Sequence, residues 1–384
     1  WNSPKSRKRP TPSWSLRRDL MSLILGLETS CDETAAAVVR DGREVLSNVV
    51  ASQHELHERY AGVVPEIASR AHLERLMPTV TEALEQAGVE LAEIDAIAVG
   101  NRPGLVGSLI VGVAAAKALA WSLGKPLIGV DHVRAHLHAA TLVTPSSEIG
   151  NPKSAVAYPA LGLVVSGGHT SLYRMDSAAE LTVLGRTIDD AVGEAYDKAG
   201  VILDAGYPGG PAIDRLAQQG DAHAPGVPEL PVSMLKPGNL DFSFSGLKTA
   251  LLYAVRGLPE GRGKDATFAR DASDLTPEHK SHLAAAFQHA AVTAVERKLK
   301  RALKQLAAEG KRPRSLVLGG GVSANSALRQ RLLALGQNQR LDVHLPELAH
   351  CVDNAAMIAG YADELMRRGE TSPLDLPVVA TSRV

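Results

Sequence analysis

Short apolar runs alternate with glycine-rich turns along most of the chain, and one arrangement of them occurs twice. Residues 23–27 have the pattern of a buried strand, and after a small polar turn residues 35–40 form a second β-rich run. Much later, residues 161–165, the turn Ser166-Gly167-Gly168-His169-Thr170 and residues 171–175 repeat that plan. Each half is therefore predicted to open with a hairpin. Each half then supplies a strand, a glycine loop and a helix. Residues 94–99 lead through Pro103-Gly104-Leu105-Val106-Gly107 into an alanine-rich helix ending near Leu123, and residues 316–318 lead through residues 319–325 into another. A long helix is predicted over Pro277–Ala308, with Thr276 as its N-cap.

Breaks in this periodicity mark the domain limits. The stretch 142–159 is the least periodic and holds Pro145, Pro152 and Pro159, so it reads as a linker between an N-terminal domain at 21–141 and a C-terminal domain at 160–350. Residues 351–368 read as a helix completing the cleft between them, and 369–384 as a tail. Residues 221–266 read as a loop-rich excursion, apart from a compact stretch at 241–249. Residues 1–20 are basic, rich in Ser and Pro, and read as a disordered extension ahead of a natural start at Met21. An organelle transit peptide is the alternative, weakened by Pro4, Pro10 and Pro12.

Charge sharpens the picture. The 384 residues carry 41 Lys+Arg and 42 Asp+Glu, but the first twenty hold six bases and one acid, leaving a mildly acidic body. A uniformly basic nucleic-acid coat is excluded. With aromatic residues at 4%, so is an RNA surface that works mainly by base stacking. Two cysteines, Cys31 and Cys351, exclude a disulfide framework and fit a reducing cytoplasm. No uninterrupted apolar run reaches the roughly 18–20 residues of a membrane span, so no membrane role is expected.

Three groups of residues could carry chemistry. His132 and His136 stand at i and i+4, one turn apart on one helix face, a spacing that lets both reach one metal ion. Alone, the pair reads first as solvated or capping histidines; a third ligand reverses that reading, and Asp353, at the start of a helix, is the candidate. Two imidazoles and one carboxylate suit Fe(II) or Zn. The glycine loops at 166–170 and 319–321 leave room for a phosphate against backbone N–H groups, provided they face each other across one cleft. Asp190, Glu194 and Asp197 form an acidic stripe near a helix start, followed by Gly210 and Asp214, while Asp32 and Glu33 occupy the first hairpin turn. There the carboxylates serve either as turn residues or as groups orienting an attacking amine.

Taken together, the motifs resemble one family, the tRNA threonylcarbamoyladenosine transferases known as TsaD or Gcp. The strings are Glu28-Thr29-Ser30-Cys31-Asp32-Glu33-Thr34, Gly62-Val63-Val64-Pro65-Glu66 with Ala68-Ser69-Arg70 and His72, and Pro103-Gly104-Leu105-Val106-Gly107. They continue through His132 and His136, Ser166-Gly167-Gly168-His169-Thr170, Asp189-Asp190, Asp197-Lys198 and Tyr207-Pro208-Gly209-Gly210-Pro211. Asp241-Phe242-Ser243-Phe244-Ser245-Gly246-Leu247-Lys248-Thr249, residues 319–325 and Asp353-Asn354 close the series, so that the resemblance runs in order from about residue 23 to 360.

The resemblance implies an α/β, two-domain actin/hexokinase/Hsp70-like (ASKHA) fold with duplicated mixed sheets. It implies transfer of threonylcarbamoyl from threonylcarbamoyl-AMP to the N6 amine of the adenosine 3′ of the anticodon, in tRNAs reading ANN codons. His132, His136 and Asp353 would hold one divalent metal, Fe(II) favoured over Zn. Val164, Val165, Ser166, Gly167, Gly168, Asp197, Gly210, Asp214 and Asn325 would bind the adenylate, with Asp32 or Glu33 as catalytic groups. Partners would be tRNA, an inactive paralogue (TsaB-like) and an ATPase (TsaE-like).

Two departures from the family pattern stand out. Asn101-Arg102 replace small residues before Pro103, which could alter the cleft edge or add a phosphate contact, and residues 261–273 are unusually charged. A small-molecule kinase of the same fold is the main alternative, and a non-catalytic scaffold another. An endopeptidase conflicts with Val133 standing where a zincin has Glu. Eight bases against one acid over 297–314 offer a local grip for the anticodon arm, the other meaning being a solvated helix face.

Overall fold

Buried strands form where the apolar runs predict them. A computed structural model describes residues 21–57, 60, 62–145, 155–206, 208–233, 236, 238–261 and 267–381. The extension at 1–20, Tyr207, the middle of the expected linker and residues 262–266 of the charged stretch lie outside the described residues.

The first part of the chain forms β1 (Leu23–Glu28), β2 (Glu33–Arg40), β3 (Glu44–Ser52), α1 (His54–His57), α2 (Pro65–Ala87), β4 (Ala96–Arg102), α3 (Val106–Leu123), β5 (Leu127–Asp131) and α4 (His132–His138). The second forms β6 (Ala160–Val165), β7 (Thr170–Met175), β8 (Leu181–Arg186), α5 (Val192–Ile202), α6 (Gly209–Ala217), α7 (Ser245–Arg256), α8 (Pro277–Ala308), β9 (Ser315–Gly319), α9 (Ser326–Gln339) and β10 (Asp342–His344), before α10 (Ala355–Arg367). The sheet orders are β3-β2-β1-β4-β5 and β8-β7-β6-β9-β10, the same topology twice. In each, an antiparallel meander continues through two parallel strands. The expected duplication is therefore complete down to strand direction.

Alternation along β1 assigns two faces. Leu25 and Leu27 join Leu76 and Val80 of α2 and Val113 and Ala116 of α3. Ile24 joins Ala355, Ile358 and Ala359 of α10 on the other face. Gly26 permits the close approach of α10: a Cβ there would lie 2.4 Å from the Ala355 carbonyl oxygen and 2.9 Å from Ala359 Cβ. Thus α10, which follows the second sheet in the chain, completes the first. By length and composition α3 could cross a membrane, because Lys117 and its glycines break the apolar run without lowering its mean hydropathy enough. Its Leu109, Val113, Ala116 and Ala120 belong to the core. Helix α4 and the turn after it lie against the second sheet, with Val133 and Leu137 of α4 and the following Ala140 packed on Val164, Tyr173 and Val317.

Four expectations need correction. Asp190 precedes α5, whose N-cap is Ala191, and bonds Lys198 and Lys248 rather than continuing a helical stripe. The two glycine loops adjoin on one domain instead of facing each other, because Val164 pairs with Gly319 and Gly320 packs against Val165. Arg102 pairs with Asp131 at 3.4 Å, so the anticipated phosphate contact has a protein partner. The basic run at 297–314 is not one open face: Lys298 is buried and donates to the Asn239 carbonyl oxygen, as does Arg301.

Candidate active site and metal centre

Asp131 caps α4, accepting from the N–H groups of Val133 and Arg134, and thereby fixes the start of the helix that carries both histidines. Beside α4, Asn354 caps α10 through the Met357 N–H and holds the preceding Asp353 at that helix start. Asp353 Oδ1 lies 3.5 Å from His132 Nε2 and 3.3 Å from His136 Nε2. One ligand atom from each of the three lies within 4.8 Å of the others.

The surroundings orient this set. Glu28, fully buried at the end of β1, presents Oε2 to His132 Nδ1 at 3.0 Å. That contact holds a ring proton on Nδ1 and turns Nε2, whose own proton a cation would displace, toward Asp353, the arrangement found behind metal-bound histidines. Both ring nitrogens of buried His136 have no hydrogen-bond partner among the described residues. Its Nε2 meets only the Asp353 carboxylate, at 3.3 Å, and a buried imidazole so poorly satisfied is costly unless something else engages it. These observations fit a divalent cation held by two nitrogens and one oxygen. Burial disfavours the charged form of His132, but Glu28 and Asp353 outweigh it and raise its pKa; burial lowers that of His136.

The Asp32-Glu33 turn stands beside this cluster. Glu33 is pushed up to about 10, first by burial and then by the charges of Asp353 and Asp32. Glu33 thus keeps its proton at neutral pH. His72 spans the turn from behind, its Nε2 donating to the Cys31 carbonyl at 3.0 Å and its Nδ1 accepting from the Thr34 hydroxyl at 2.8 Å.

The second domain faces these groups with its glycine loops. Around Gly167 and Gly168 nothing lies within 4 Å of where a Cβ would be, so their backbone is open to a ligand. Val164 and Val165 are buried strand residues behind the loop, and Ser166 accepts from the His169 N–H through Oγ. His169 is held neutral, its pKa lowered to about 4 by burial and then by His132 and His136. Gly319 packs on α4, where a Cβ would lie 2.1 Å from the His136 carbonyl oxygen. Asp197 accepts from the N–H groups of Gly209 and Gly210 at 3.0 and 3.4 Å, anchoring the start of α6. Burial first, then Asp32 and Glu194 across and beside it, raise the pKa of Asp197, opposed by those N–H bonds. Asp214 of α6 accepts from Ser326, and Asn325 caps α9.

A profile of the family TsaD, tRNA N6-adenosine threonylcarbamoyltransferase, matches residues 44–360. The chain belongs to the TsaD family. It is 48% identical over 359 residues to the tRNA N6-adenosine threonylcarbamoyltransferase of Symbiobacterium thermophilum, covering 93% of this chain and 95% of that one. The protein of that name from Trichlorobacter lovleyi is also 48% identical over 359 residues, with 94% and 96% covered. Among solved structures, HypF of T. kodakarensis superposes with a TM-score of 0.55 at 14% identity, over 91% of this chain and 48% of that one. That likeness and the duplicated sheets establish the ASKHA fold. TsaD membership makes this chain a transferase that modifies tRNA, and the kinase and scaffold alternatives give way. A metal goes with the TsaD family, and the His132, His136 and Asp353 cluster can hold one. Glu28, His169 and His72 escaped assignment from sequence. Glu28 could have been found as a charged residue ending an otherwise apolar strand, as Asp131 ends β5.

Proposed function

We propose that the cleft transfers threonylcarbamoyl from threonylcarbamoyl-AMP to the N6 amine of the adenosine 3′ of the anticodon in tRNAs reading ANN codons. What carries the reading is the convergence, on one cleft, of the His132, His136 and Asp353 cluster, the Asp32-Glu33 turn and the open Gly167-Gly168 backbone. Fe(II) is the favoured ion and Zn the alternative; when bound, it supplies Lewis-acid stabilisation of charge on the donor.

The chain's own groups do the rest. Backbone N–H groups of Gly167 and Gly168 hold the phosphate, backed by Val164, Val165 and Ser166. Asp197, Gly210, Asp214 and Asn325 line the nucleotide pocket. The N6 nitrogen attacks the carbamoyl carbon, the bond to the phosphate oxygen breaks, and AMP leaves with the electron pair. Asp32 orients the amine and takes its proton, while Glu33 keeps its own and donates a hydrogen bond. Because an exocyclic adenine nitrogen is a poor nucleophile, alignment supplies much of the rate. An inactive paralogue and an ATPase, TsaB-like and TsaE-like, assist in the cytoplasm, and the isolated chain binds tRNA weakly and with strong salt dependence.

The test combines the purified chain with these partners, ATP, threonine, bicarbonate and tRNA, and looks for threonylcarbamoyladenosine by mass spectrometry. Product is expected with the native chain and lost with His132→Ala. Absence of product with partners of verified activity overturns the reading.

A further inference from the structure

Asp214 and Asn325 come from different elements, α6 and the start of α9, yet one buried side chain joins them. Gln288 of α8 is 5% exposed and lies behind both. Its Nε2 donates to Asp214 Oδ1 at 3.0 Å, and its Oε1 accepts from Asn325 Nδ2 at 2.7 Å. The Tyr196 hydroxyl of α5 adds a donor 3.4 Å from the same oxygen. The amide can adopt one orientation only. Turned over, it would oppose donor to donor at Asn325 and a carbonyl oxygen to a carboxylate at Asp214.

The remaining valences of both partners are also engaged. Asn325 Oδ1 accepts from the Leu328 N–H, and its amide nitrogen also meets the Tyr196 hydroxyl, so its side chain is tied at both ends. Asp214 Oδ1 takes a second bond from Ser326 Oγ at 2.8 Å, while Oδ2 receives the Ser326 N–H at 3.2 Å and keeps spare acceptor capacity. Asp214 and Asn325 are thereby held rigid, Asp214 with acceptor capacity to spare.

We propose that Gln288 is a positioning residue for the donor pocket, fixing Asp214 and Asn325 before the nucleotide arrives. The inference rests on the reading that these two residues hold the adenylate, and it adds the group that orders them. Ordering in advance removes a cost from binding and leaves the chemical step alone. Gln288 therefore governs affinity for the donor rather than turnover.

The experiment uses Gln288→Met, which keeps the length and loses both polar ends, and Gln288→Glu, which keeps the acceptor for Asn325 but faces Asp214 with a second carboxylate. Transfer is measured at varied threonylcarbamoyl-AMP and, separately, at varied tRNA, with AMP as competitive inhibitor. Loss of a buried hydrogen bond to a charged group predicts a rise of roughly 10- to 100-fold in donor KM and AMP inhibition constant, larger for Gln288→Glu. The KM for tRNA and kcat at saturating donor stay within about threefold of native. Since the readout is a ratio of two KM values on one preparation, a partly unfolded fraction cancels. A donor KM within about twofold of native, or a parallel rise in the KM for tRNA, overturns the proposal. Asp214→Asn measured alongside separates the failures. If it too leaves donor KM unchanged, the donor-pocket reading is wrong; if it alone raises donor KM, only the role of Gln288 is wrong.

Discussion

Replacing Glu28 by Gln tests the metal centre without touching a ligand. Glu28 is fully buried and accepts at both oxygens: Oε1 from the Ser30 N–H at 2.5 Å, Oε2 from His132 Nδ1 at 3.0 Å. A glutamine amide cannot satisfy both. With its oxygen kept on the Ser30 N–H, the NH2 group faces His132 Nδ1 and shifts the ring proton to Nε2, the atom turned toward Asp353. With the amide reversed, two donors meet at Ser30. Loss of such an outer partner costs roughly 10- to 100-fold in metal affinity, about 1.4–2.7 kcal/mol. Affinity is read by competition with a chromophoric chelator, for Zn in air and for Fe(II) under anaerobic conditions, with His132→Ala as the lower limit. An affinity within about twofold of native for both ions refutes the tautomer argument.

Three further outcomes follow from the geometry. Gly26→Ala forces a Cβ to 2.4 Å from the Ala355 carbonyl oxygen, and overpacking of about 1–3 kcal/mol is expected as a lower urea midpoint; an unchanged midpoint contradicts the close packing of α10. His72→Leu removes two bonds to the Asp32-Glu33 turn and leaves the one from the Gln53 N–H to the Asp32 carbonyl, so stability falls by about 1–3 kcal/mol and single-turnover transfer slows, whereas native rates would show that the turn holds without His72. Asp189 accepts from Ser243 and Ser245 hydroxyls and the Phe244 and Ser245 N–H groups; burial works against ionisation, but these bonds prevail and lower its pKa. A depressed carboxylate stabilises the fold above its unfolded pKa of about 3.9 and loses that contribution as pH falls through the folded value. Denaturation of native and Asp189→Asn proteins is therefore expected to differ near neutrality and to converge in acid; a constant difference would exclude Asp189 as the titrating group.

Much of this fold was legible because the pattern that signals a strand or helix is local. Apolar runs bounded by glycine or small polar turns marked β1, β2, β4, β6, β7 and β9 but not β3, β5 or β8, and Thr276 with Pro277 marked the start of α8 at the residue where it begins. The i, i+4 spacing of His132 and His136 was equally local. Asp353 lies more than two hundred residues away, and only the chemical need for a third ligand, and then the family resemblance, pointed to it. Other features depended on what a helix meets after folding. Nothing in the spacing of basic residues on α8 distinguishes Lys298, turned inward to the Asn239 carbonyl, from its exposed neighbours. Asp190 matched a helical period but fell just outside α5, because Ala191 offers no polar cap to mark the boundary. Gln288 was invisible for the same reason: a glutamine in a long helix is ordinary until Asp214 and Asn325 converge on it.

The return of α10 to the first sheet also governs the order in which the molecule can be built. Ser22 Oγ donates to Asp363 Oδ1 across 341 positions of chain, and Ile24 shares its packing with Ile358. A ribosome releasing the chain from its beginning exposes one face of β1 and β2 throughout synthesis of the second domain. Contacts of such separation form late, after the intervening loop has been closed by its own folding. The N-terminal half must therefore wait for the C-terminal half, and Asp353 joins the histidines only when that wait ends. The candidate cluster is thus complete only once the last helix of the chain has returned to the first sheet.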